Sequence, residues 1–338
     1  MRQSSSPNRL PTLAAAMLAT LLAPAVSSAI EIPKVPLQSG TAVPPNIMFV
    51  MDDSGSMHSE IMPGSLVFDA RLVDGTQLGL NVGYVFPRAN GVYGGNDYTN
   101  TVATVDPLSG YGAMVRSPAF NKIYYNPAIT YQPWSNADGT LRANASTTCA
   151  LHNPERVGTG AEYCRDLTAT NTNYNGNYWQ DYNALVCGTE PQACLADQLS
   201  RTFWPATYYR YNGTGNPWSV SSYSKVEIRP AIGTYTGDGR ASRTDCAAGS
   251  CTYAQEIQNF ANWYQYYRSR VLLSRAGIGR AFSGLSTIST ASSPAPRVGF
   301  GAINKGSTDI DGVSTRTVVT GVRPFTGSDR TAFFTSLY

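Results

Sequence analysis

The stretch that decides the fold is Asn46-Ile47-Met48-Phe49-Val50-Met51-Asp52-Asp53-Ser54-Gly55-Ser56. Its opening residues form a short, largely apolar run, which predicts a strand buried on both faces, as in the middle of a parallel sheet. The run stops at acidic and small residues, which predict a loop at the carboxyl end of the strand. Open α/β sheets bind their ligands at that end of the strands.

The loop offers a candidate metal site, because Asp52, Ser54 and Ser56 carry hard oxygen donors within one short segment. Mg²⁺ prefers octahedral oxygen ligands and keeps waters or partner oxygens among them. Neutral hydroxyls cancel little of the metal's charge, so such a site would stay electrophilic and could accept a carboxylate from a partner. Gly55 allows the backbone to turn tightly between the serines. The alternative is a turn whose side chains only cap a helix.

After this loop the composition changes, and residues 58–254 are rich in Gly, Asn, Ser, Thr and Tyr. The segment shows no long helical period and no internal repeat, which predicts an irregular insertion after the first strand. We expect its tyrosines to pack in a small core rather than to form a glycan-binding surface.

The insertion contains all six cysteines of the chain, and in an exported protein an even number predicts disulfides. Short loops favour the pairs Cys246–Cys251 and Cys187–Cys194, which leaves Cys149–Cys164 as the third. A zinc site is the alternative, but the sequence has no C-x-x-C pair, and only His58 and His152 could supply imidazole.

From Glu256 onward, apolar residues recur at spacings of three and four, which predicts one long helix of about 30 residues. We expect its solvated face to carry Arg268, Arg270 and Arg275.

The remaining residues predict a strand at 297–304, a turn at Asp311-Gly312, and a second strand at 316–322 that pairs back on the first. Ser328 is expected to cap a final helix that begins near Asp329. The element order is that of the opening half of a doubly wound α/β sheet, built from residues 46–57 and 255–338.

The N-terminus reads as a secretory signal peptide at residues 1–29. Arg2 and Arg9 are followed by an Ala/Leu-rich run and by Ser27-Ser28-Ala29, with cleavage expected after Ala29. The uninterrupted apolar run is short for a membrane anchor. Residues 30–45 predict an extended lead-in with several prolines. The formal net charge of +3 is too small to indicate nucleic-acid binding.

Residues 46–57 resemble the first strand and the metal-ion-dependent adhesion loop of von Willebrand factor A domains. Other phrases resemble the type IV pilus biogenesis and tip-adhesin family of the PilY/PilC type, over essentially the whole mature chain. These phrases are Tyr124-Tyr125-Asn126-Pro127 with Tyr131 and Pro133-Trp134, Phe260-Ala261-Asn262-Trp263-Tyr264 with Tyr266-Tyr267-Arg268, Arg297-Val298-Gly299-Phe300-Gly301, and Arg330 with Phe333-Phe334 and Leu337-Tyr338.

The resemblance implies a non-enzymatic adhesin and pilus assembly factor, exported to the periplasm and to the pilus tip or outer surface of a Gram-negative bacterium. It implies roles in surface attachment, pilus biogenesis and twitching motility. Its partners would be pilus subunits, minor pilins, or host or surface proteins. Asp52, Ser54 and Ser56 would hold Mg²⁺, Mn²⁺ or Ca²⁺.

This sequence also departs from the family. In A domains a Thr and an Asp from two later loops complete the metal site, and family members carry a C-terminal β-propeller. Neither feature is in this sequence. We therefore expect the chain to be the N-terminal part of a longer protein, or the product of a truncated reading frame, and to bind the metal weakly by itself.

Two other functional classes remain open. One is an exported A-domain protein that binds matrix or envelope proteins and has no link to pili. The other is a secreted hydrolase, which is disfavoured because the sequence has no G-x-S-x-G elbow and gives neither histidine a reason to lie near Ser54 or Ser56.

Overall fold

The computed structural model describes residues 42–67, 71–72, 82–87, 104–174, 179–182, 193–196, 200–290 and 293–338. The expected signal peptide and nearly all of the lead-in lie outside these residues. Within this part of the chain the fold is mixed α/β, with several small sheets, and Val43–Tyr338 is one compact unit.

The described strands are mostly short. They are β1 Asn46–Met51, β2 Arg71–Leu72, β3 Thr104–Val105, β4 Ala150–Leu151, β5 Cys164–Arg165, β6 Asn171–Tyr174, β7 Trp179–Tyr182, β8 Ala193–Ala196, β9 Ser200–Phe203, β10 Thr207–Tyr211, β11 Tyr223–Glu227, β12 Thr234–Thr236, β13 Ser250–Thr252, β14 Arg297–Ala302, β15 Thr308–Ile310, β16 Val313–Thr315 and β17 Val318–Pro324. The described α-helices are α1 Gly110–Val115, α2 Tyr253–Tyr266, α3 Arg270–Ser283 and α4 Gly327–Leu337.

The sheet that carries the candidate loop has the strand order β1-β14-β17. β1 runs parallel to β14, with Phe49 opposite Phe300, and β17 runs antiparallel to β14. The predicted strand pairing is therefore confirmed, although β17 begins two residues later than expected, at Val318. The tight turn at Asp311 and Gly312 is also confirmed, because both residues have positive φ angles, 54° and 80°, between β15 and β16.

The prediction that β1 is buried on both faces is wrong for the described chain. Met48 and Val50 are each 47% exposed, whereas Phe49 points the other way and packs on Phe282 of α3 at 5.7 Å between ring centroids. The physical reason is that, among the residues described, helices cover one face of the sheet only. Phe300 of β14 lies on that same side, against Phe333 of α4.

The predicted long helix is two helices, α2 and α3, separated at residues 267–269. Ser269 caps α3 by accepting a hydrogen bond from the Leu272 backbone N–H at 3.4 Å. Arg268, expected on a solvated face, is fully buried and pairs with Glu60 at 2.8 Å. Arg270 is also turned inward, and its guanidinium donates to the carbonyl of Ile61. The apolar spacing continues through the break, so periodicity alone does not reveal it.

The final helix begins earlier than expected. α4 starts at Gly327, its N-cap is Thr326, and no side chain caps it, so the predicted cap at Ser328 is wrong. Phe333 and Phe334 are both buried, and Phe333 packs on Phe300 of β14 at 5.7 Å between ring centroids.

The insertion has an aromatic core built around α2. Trp263 contacts Tyr124 and Phe260 at centroid distances of 4.7 and 5.0 Å, and Phe86 contacts Tyr264 at 5.0 Å. The expected burial of tyrosines is confirmed for many of those described: Tyr84, Tyr111, Tyr124, Tyr125, Tyr131, Tyr208, Tyr209, Tyr223 and Tyr235.

Polar side chains of α2 also bind the insertion. Asn259 accepts a hydrogen bond from the backbone N–H of Tyr131 at 2.7 Å, and Asn262 accepts one from Ala145 at 2.9 Å. Helix α2, which the sequence predicts to be part of the A-like domain, therefore fixes the backbone of the insertion through these hydrogen bonds.

Two of the predicted disulfides are confirmed, namely Cys149–Cys164 and Cys246–Cys251. The third pair involves Cys187, which lies outside the described residues, so Cys187–Cys194 stays a prediction. Among the residues described, no helix has the length and apolar character needed to span a membrane.

Candidate metal centre

The structure brings the three predicted ligands together directly after β1. The backbone N–H of Ser54 donates to Asp52 Oδ1 at 2.9 Å, and the hydroxyl oxygens of Ser54 and Ser56 are 3.1 Å apart. A 3-10 turn at Gly55–His58 follows immediately and fixes the position of Ser56. The loop thus gathers one carboxylate and two hydroxyls at the carboxyl end of the strand.

The spacing of the two hydroxyls can be compared with that of metal ligands. Mg²⁺ binds oxygens at about 2.0–2.1 Å in octahedral geometry, which separates neighbouring ligand oxygens by about 3.0 Å. The observed 3.1 Å between Ser54 Oγ and Ser56 Oγ fits one edge of that octahedron. It also fits an ordinary hydrogen bond between the hydroxyls. The distance between the two hydroxyls is therefore compatible with either arrangement.

The charge of the site resides on Asp52, which is exposed to solvent. The backbone N–H of Ser54, and then its hydroxyl, lower the pKa of the Asp52 carboxyl, and slight burial opposes them. Both hydrogen bonds favour the ionised form. Asp52 is therefore a carboxylate at neutral pH, which is the form that a metal ion needs.

Within the described ranges, no group of three or more His, Cys, Asp and Glu side chains could hold a metal ion. The candidate centre differs from such a cluster, because two of its three metal ligands would be the hydroxyl oxygens of Ser54 and Ser56. Its fit to an ion depends on the convergence of one aspartate with these two serines.

Asp53, for which the sequence predicts no role, holds the loop in place. Its Oδ1 accepts a hydrogen bond from the backbone N–H of Asn304 at 2.7 Å, just beyond β14. The backbone N–H of Ile303 donates to the carbonyl of Met51 at 3.2 Å. The loop after β14 is thereby tied to the candidate centre, and only the Asp52-Asp53 doublet hints at this in the sequence.

A buried ion pair supports the segment that follows the loop. Glu60 accepts from Arg268 through Oε1 at 2.8 Å, and through Oε2 from the backbone N–H groups of Val85 and Phe86 at 2.7 and 3.0 Å. The backbone N–H of Arg270 also donates to the carbonyl of Ser59 at 3.0 Å. The start of α3 is therefore locked to residues 59–61, immediately after the 3-10 turn of the candidate centre.

A second buried charge cluster lies in the insertion, where Glu256 of α2 binds two arginines. Glu256 Oε1 is 2.7 Å from Arg240 Nη2, and Oε2 is 2.5 Å from Arg243 Nη1. The hydroxyl of Tyr125 also donates to Oε1 at 2.8 Å. All of the acceptor positions of this carboxylate face donors within the core, so the cluster holds the insertion together.

No protein-family model and no solved structure matches the chain. Curated proteins do match. Type IV pilus biogenesis factor PilY1 of Pseudomonas aeruginosa (strain PAK) is 26% identical over 338 residues, which cover 96% of this chain. The protein of the same name from strain UCBPP-PA14 is 22% identical over 259 residues, or 77% of this chain. These matches support a PilY1-type family for the chain.

The chain spans 22% and 16% of the lengths of these two PilY1 relatives. The resemblance to the PilY/PilC type is confirmed, because the similarity to PilY1 extends over 96% of this chain. The assignment of a von Willebrand factor A domain stays a prediction.

Proposed function

We propose that this protein is a type IV pilus-associated adhesin and assembly factor that binds a protein partner through a metal ion. The observation that carries the proposal is the convergence of Asp52, Ser54 and Ser56 at the end of β1. The pilus context is supported by relatives that are named type IV pilus biogenesis factors.

The fold that we propose for the sheet region is an A-type, doubly wound sheet. The parallel pairing of β1 and β14, with β17 antiparallel at the side, supports this arrangement. Helices α3 and α4 cover one face, and the candidate loop lies at the carboxyl end of β1, where such sheets bind ligands.

The chemistry of the site would be recognition rather than catalysis. Asp52, Ser54 and Ser56 would hold Mg²⁺, Mn²⁺ or Ca²⁺, leaving about half of an octahedral shell for water and for a partner's carboxylate. Since only one of these protein ligands is charged, the ion would keep most of its attraction for an incoming anion. We expect weak binding by this chain alone, on the order of millimolar or poorer.

The proposed location is the periplasm and then the pilus tip or outer surface, with pilus subunits, minor pilins or surface proteins as partners. The signal-like residues 1–29 support export, and so do the disulfides Cys149–Cys164 and Cys246–Cys251, which persist in oxidising compartments. His152 gives no support to a hydrolase, because both of its ring nitrogens have partners, namely the hydroxyl of Tyr264 in α2 and the carbonyl of Ala161 in the insertion.

Calorimetry with Mg²⁺ and with Mn²⁺ tests the metal site. We expect weak binding to the chain, no binding to Asp52→Ala, and unchanged binding to Ser65→Ala, which removes an exposed serine in a neighbouring 3-10 turn. Equal heats from all three proteins would mean that the loop is only a turn.

A genetic experiment separates the pilus proposal from its rival. Deletion of the gene in its own bacterium should reduce surface pili and twitching motility, and the Asp52→Ala gene should restore them incompletely. Normal piliation in the deletion strain, together with lost attachment, would instead favour an exported binding protein unrelated to pili.

A further inference from the structure

The insertion contains a cleft of about 210 Å³. Its lining residues lie between Pro107 and Arg229 and do not include any residue of the metal loop. It lies where the end of α1 meets β9, β10 and β11. An apolar cavity of about 150 Å³ holds a benzene molecule, so this cleft has room for a ligand the size of one sugar ring. The side chains that line it include Arg116, Thr170, Thr202, Trp204, Glu227 and Arg229.

Arg116 lines the cleft and is only 3% exposed. Its Nη1 donates to the carbonyl of Gly112 at 3.1 Å and its Nη2 to that of Val85 at 2.7 Å. These two bonds use two of the five guanidinium N–H groups. In the described part of the chain, no carboxylate forms an ion pair with this buried cation.

The acidic groups closest in their electrostatic effect on Arg116 have their own cations. Asp106 pairs with Arg201 at 2.6 Å, and Glu60 pairs with Arg268 at 2.8 Å. A buried charge without a counter-ion costs several kcal/mol, as an order of magnitude. A carboxylate that entered the cleft would offset this cost, and the planar guanidinium fork matches carboxylate geometry.

The rim of the cleft carries both donors and acceptors. Glu227 lies between Lys225 and Arg229, at 2.5 Å from each, and Arg229 lies over the ring of Trp204 at 4.0 Å. A ligand with only negative charge would meet Glu227 unfavourably. A ligand that also bears hydroxyls could donate to Glu227 and bond to the threonines of the wall, which are Thr170, Thr202 and Thr207.

We propose that this cleft binds a small hydroxylated carboxylate, of the size and chemistry of a uronic acid, with its carboxylate on Arg116 and its hydroxyls on the rim. The site is separate from the metal loop and does not depend on it. It would give the insertion a recognition function for acidic sugars of a surface glycan.

The test uses the full chain and measures binding of methyl glucuronide by calorimetry and by ligand-observed NMR. Methyl glucoside, which lacks the carboxylate, and propionate, which lacks the hydroxyls, are the comparison ligands. We expect both to bind at least about tenfold more weakly, since each loses one class of hydrogen bond.

Two variants locate the site. Thr170→Trp places a bulky ring at an exposed position of the cleft wall and should abolish binding while Arg116 stays in place. Thr214→Trp, at an exposed turn outside the cleft, is the matched control and should bind like the unchanged protein. Arg116→Lys should weaken binding at least about tenfold, because lysine lacks the fork.

Equal binding of glucuronide and glucoside, no binding of glucuronide at all, or unchanged binding by Thr170→Trp would each overturn the proposal. If Arg116→Lys does not fold, the Thr170→Trp result and the ligand comparison still decide the matter. Asp52→Ala should leave glucuronide binding unchanged, which separates this outcome from failure of the metal site.

Discussion

The sheet region and the insertion core use charged side chains in opposite ways. At the end of β1, Asp52 is exposed, and Met48 and Val50 on the strand before it are each 47% exposed. In the insertion core, Arg240 and Arg243 are buried together with Glu256 of α2. Charge that serves recognition must stay accessible, whereas charge that serves stability must find partners in the core. We therefore expect substitution of the exposed Asp52 to affect stability little, and substitution of the buried Glu256 to affect it strongly.

The largest expected effect comes from breaking the buried cluster with Glu256→Gln. This change leaves two buried arginines without their shared counter-ion, and removing one partner of a buried pair costs about 3–5 kcal/mol. Urea unfolding followed by tryptophan fluorescence should show a loss of that size in the free energy of unfolding.

The matched control is Glu162→Gln, which removes the same charge from an exposed site in the insertion. It should change the free energy of unfolding by less than about 0.5 kcal/mol. Similar values for the two variants would contradict the idea that the insertion is held together by its buried charges.

Removal of the disulfides should give the next largest loss of stability. The two disulfides are expected to differ in how much each stabilises the insertion. Cys149–Cys164 closes a separation of 15 residues and Cys246–Cys251 one of 5. Loop-closure entropy predicts losses of about 3 and about 2 kcal/mol when each pair is replaced by serines. The reverse order, measured by the same unfolding curves, would show that packing around the shorter loop outweighs chain entropy.

What could be predicted from the sequence was local. The β1 run, the Asp52–Ser56 loop and the Asp311-Gly312 turn each depend on neighbouring residues, and each was recognised. Neither the Glu60–Arg268 pair, separated by 208 positions, nor the burial of Arg116 leaves a local signal.

The break between α2 and α3 shows why periodicity failed there. Apolar spacing is preserved across residues 267–269, so the pattern alone favours one helix. The tertiary pair of Arg268 with Glu60 and the cap from Ser269 determine the break. Only Ser269, a residue type that favours helix N-caps, could have signalled it.

A smaller, pH-dependent effect should come from His152 in the insertion. Burial lowers the pKa of its ring well below the usual value, with help from the nearby Arg165 and Arg268 cations. Unfolding restores a pKa of about 6.5. As the pH falls below that value, the unfolded chain binds a proton that the folded protein refuses, so stability decreases by up to about 1.4 kcal/mol per pH unit.

The measurement compares urea unfolding of the protein and of His152→Gln between about pH 7.5 and 5.5. The difference between them should shrink as the pH falls, because only the unchanged protein loses this contribution. His58, whose pKa burial lowers to about 4, acts in the same direction in both proteins and cancels. A constant difference would show that folding does not shift the pKa of His152.

The smallest effect on stability is expected at the candidate metal centre itself. Asp52→Ala removes an exposed carboxylate whose hydrogen bonds are to the neighbouring Ser54, so without metal it should change the free energy of unfolding by less than about 0.5 kcal/mol.

A metal ion that binds only the folded protein adds RT ln(1 + [L]/Kd) to stability, which raises the melting temperature as Mg²⁺ is increased. We expect this rise in the unchanged protein and in Ser65→Ala, and its absence in Asp52→Ala. A large loss of stability in metal-free Asp52→Ala would place this residue with the structural charges of the insertion. It would then remove the contrast between the two regions on which its proposed role in recognition depends.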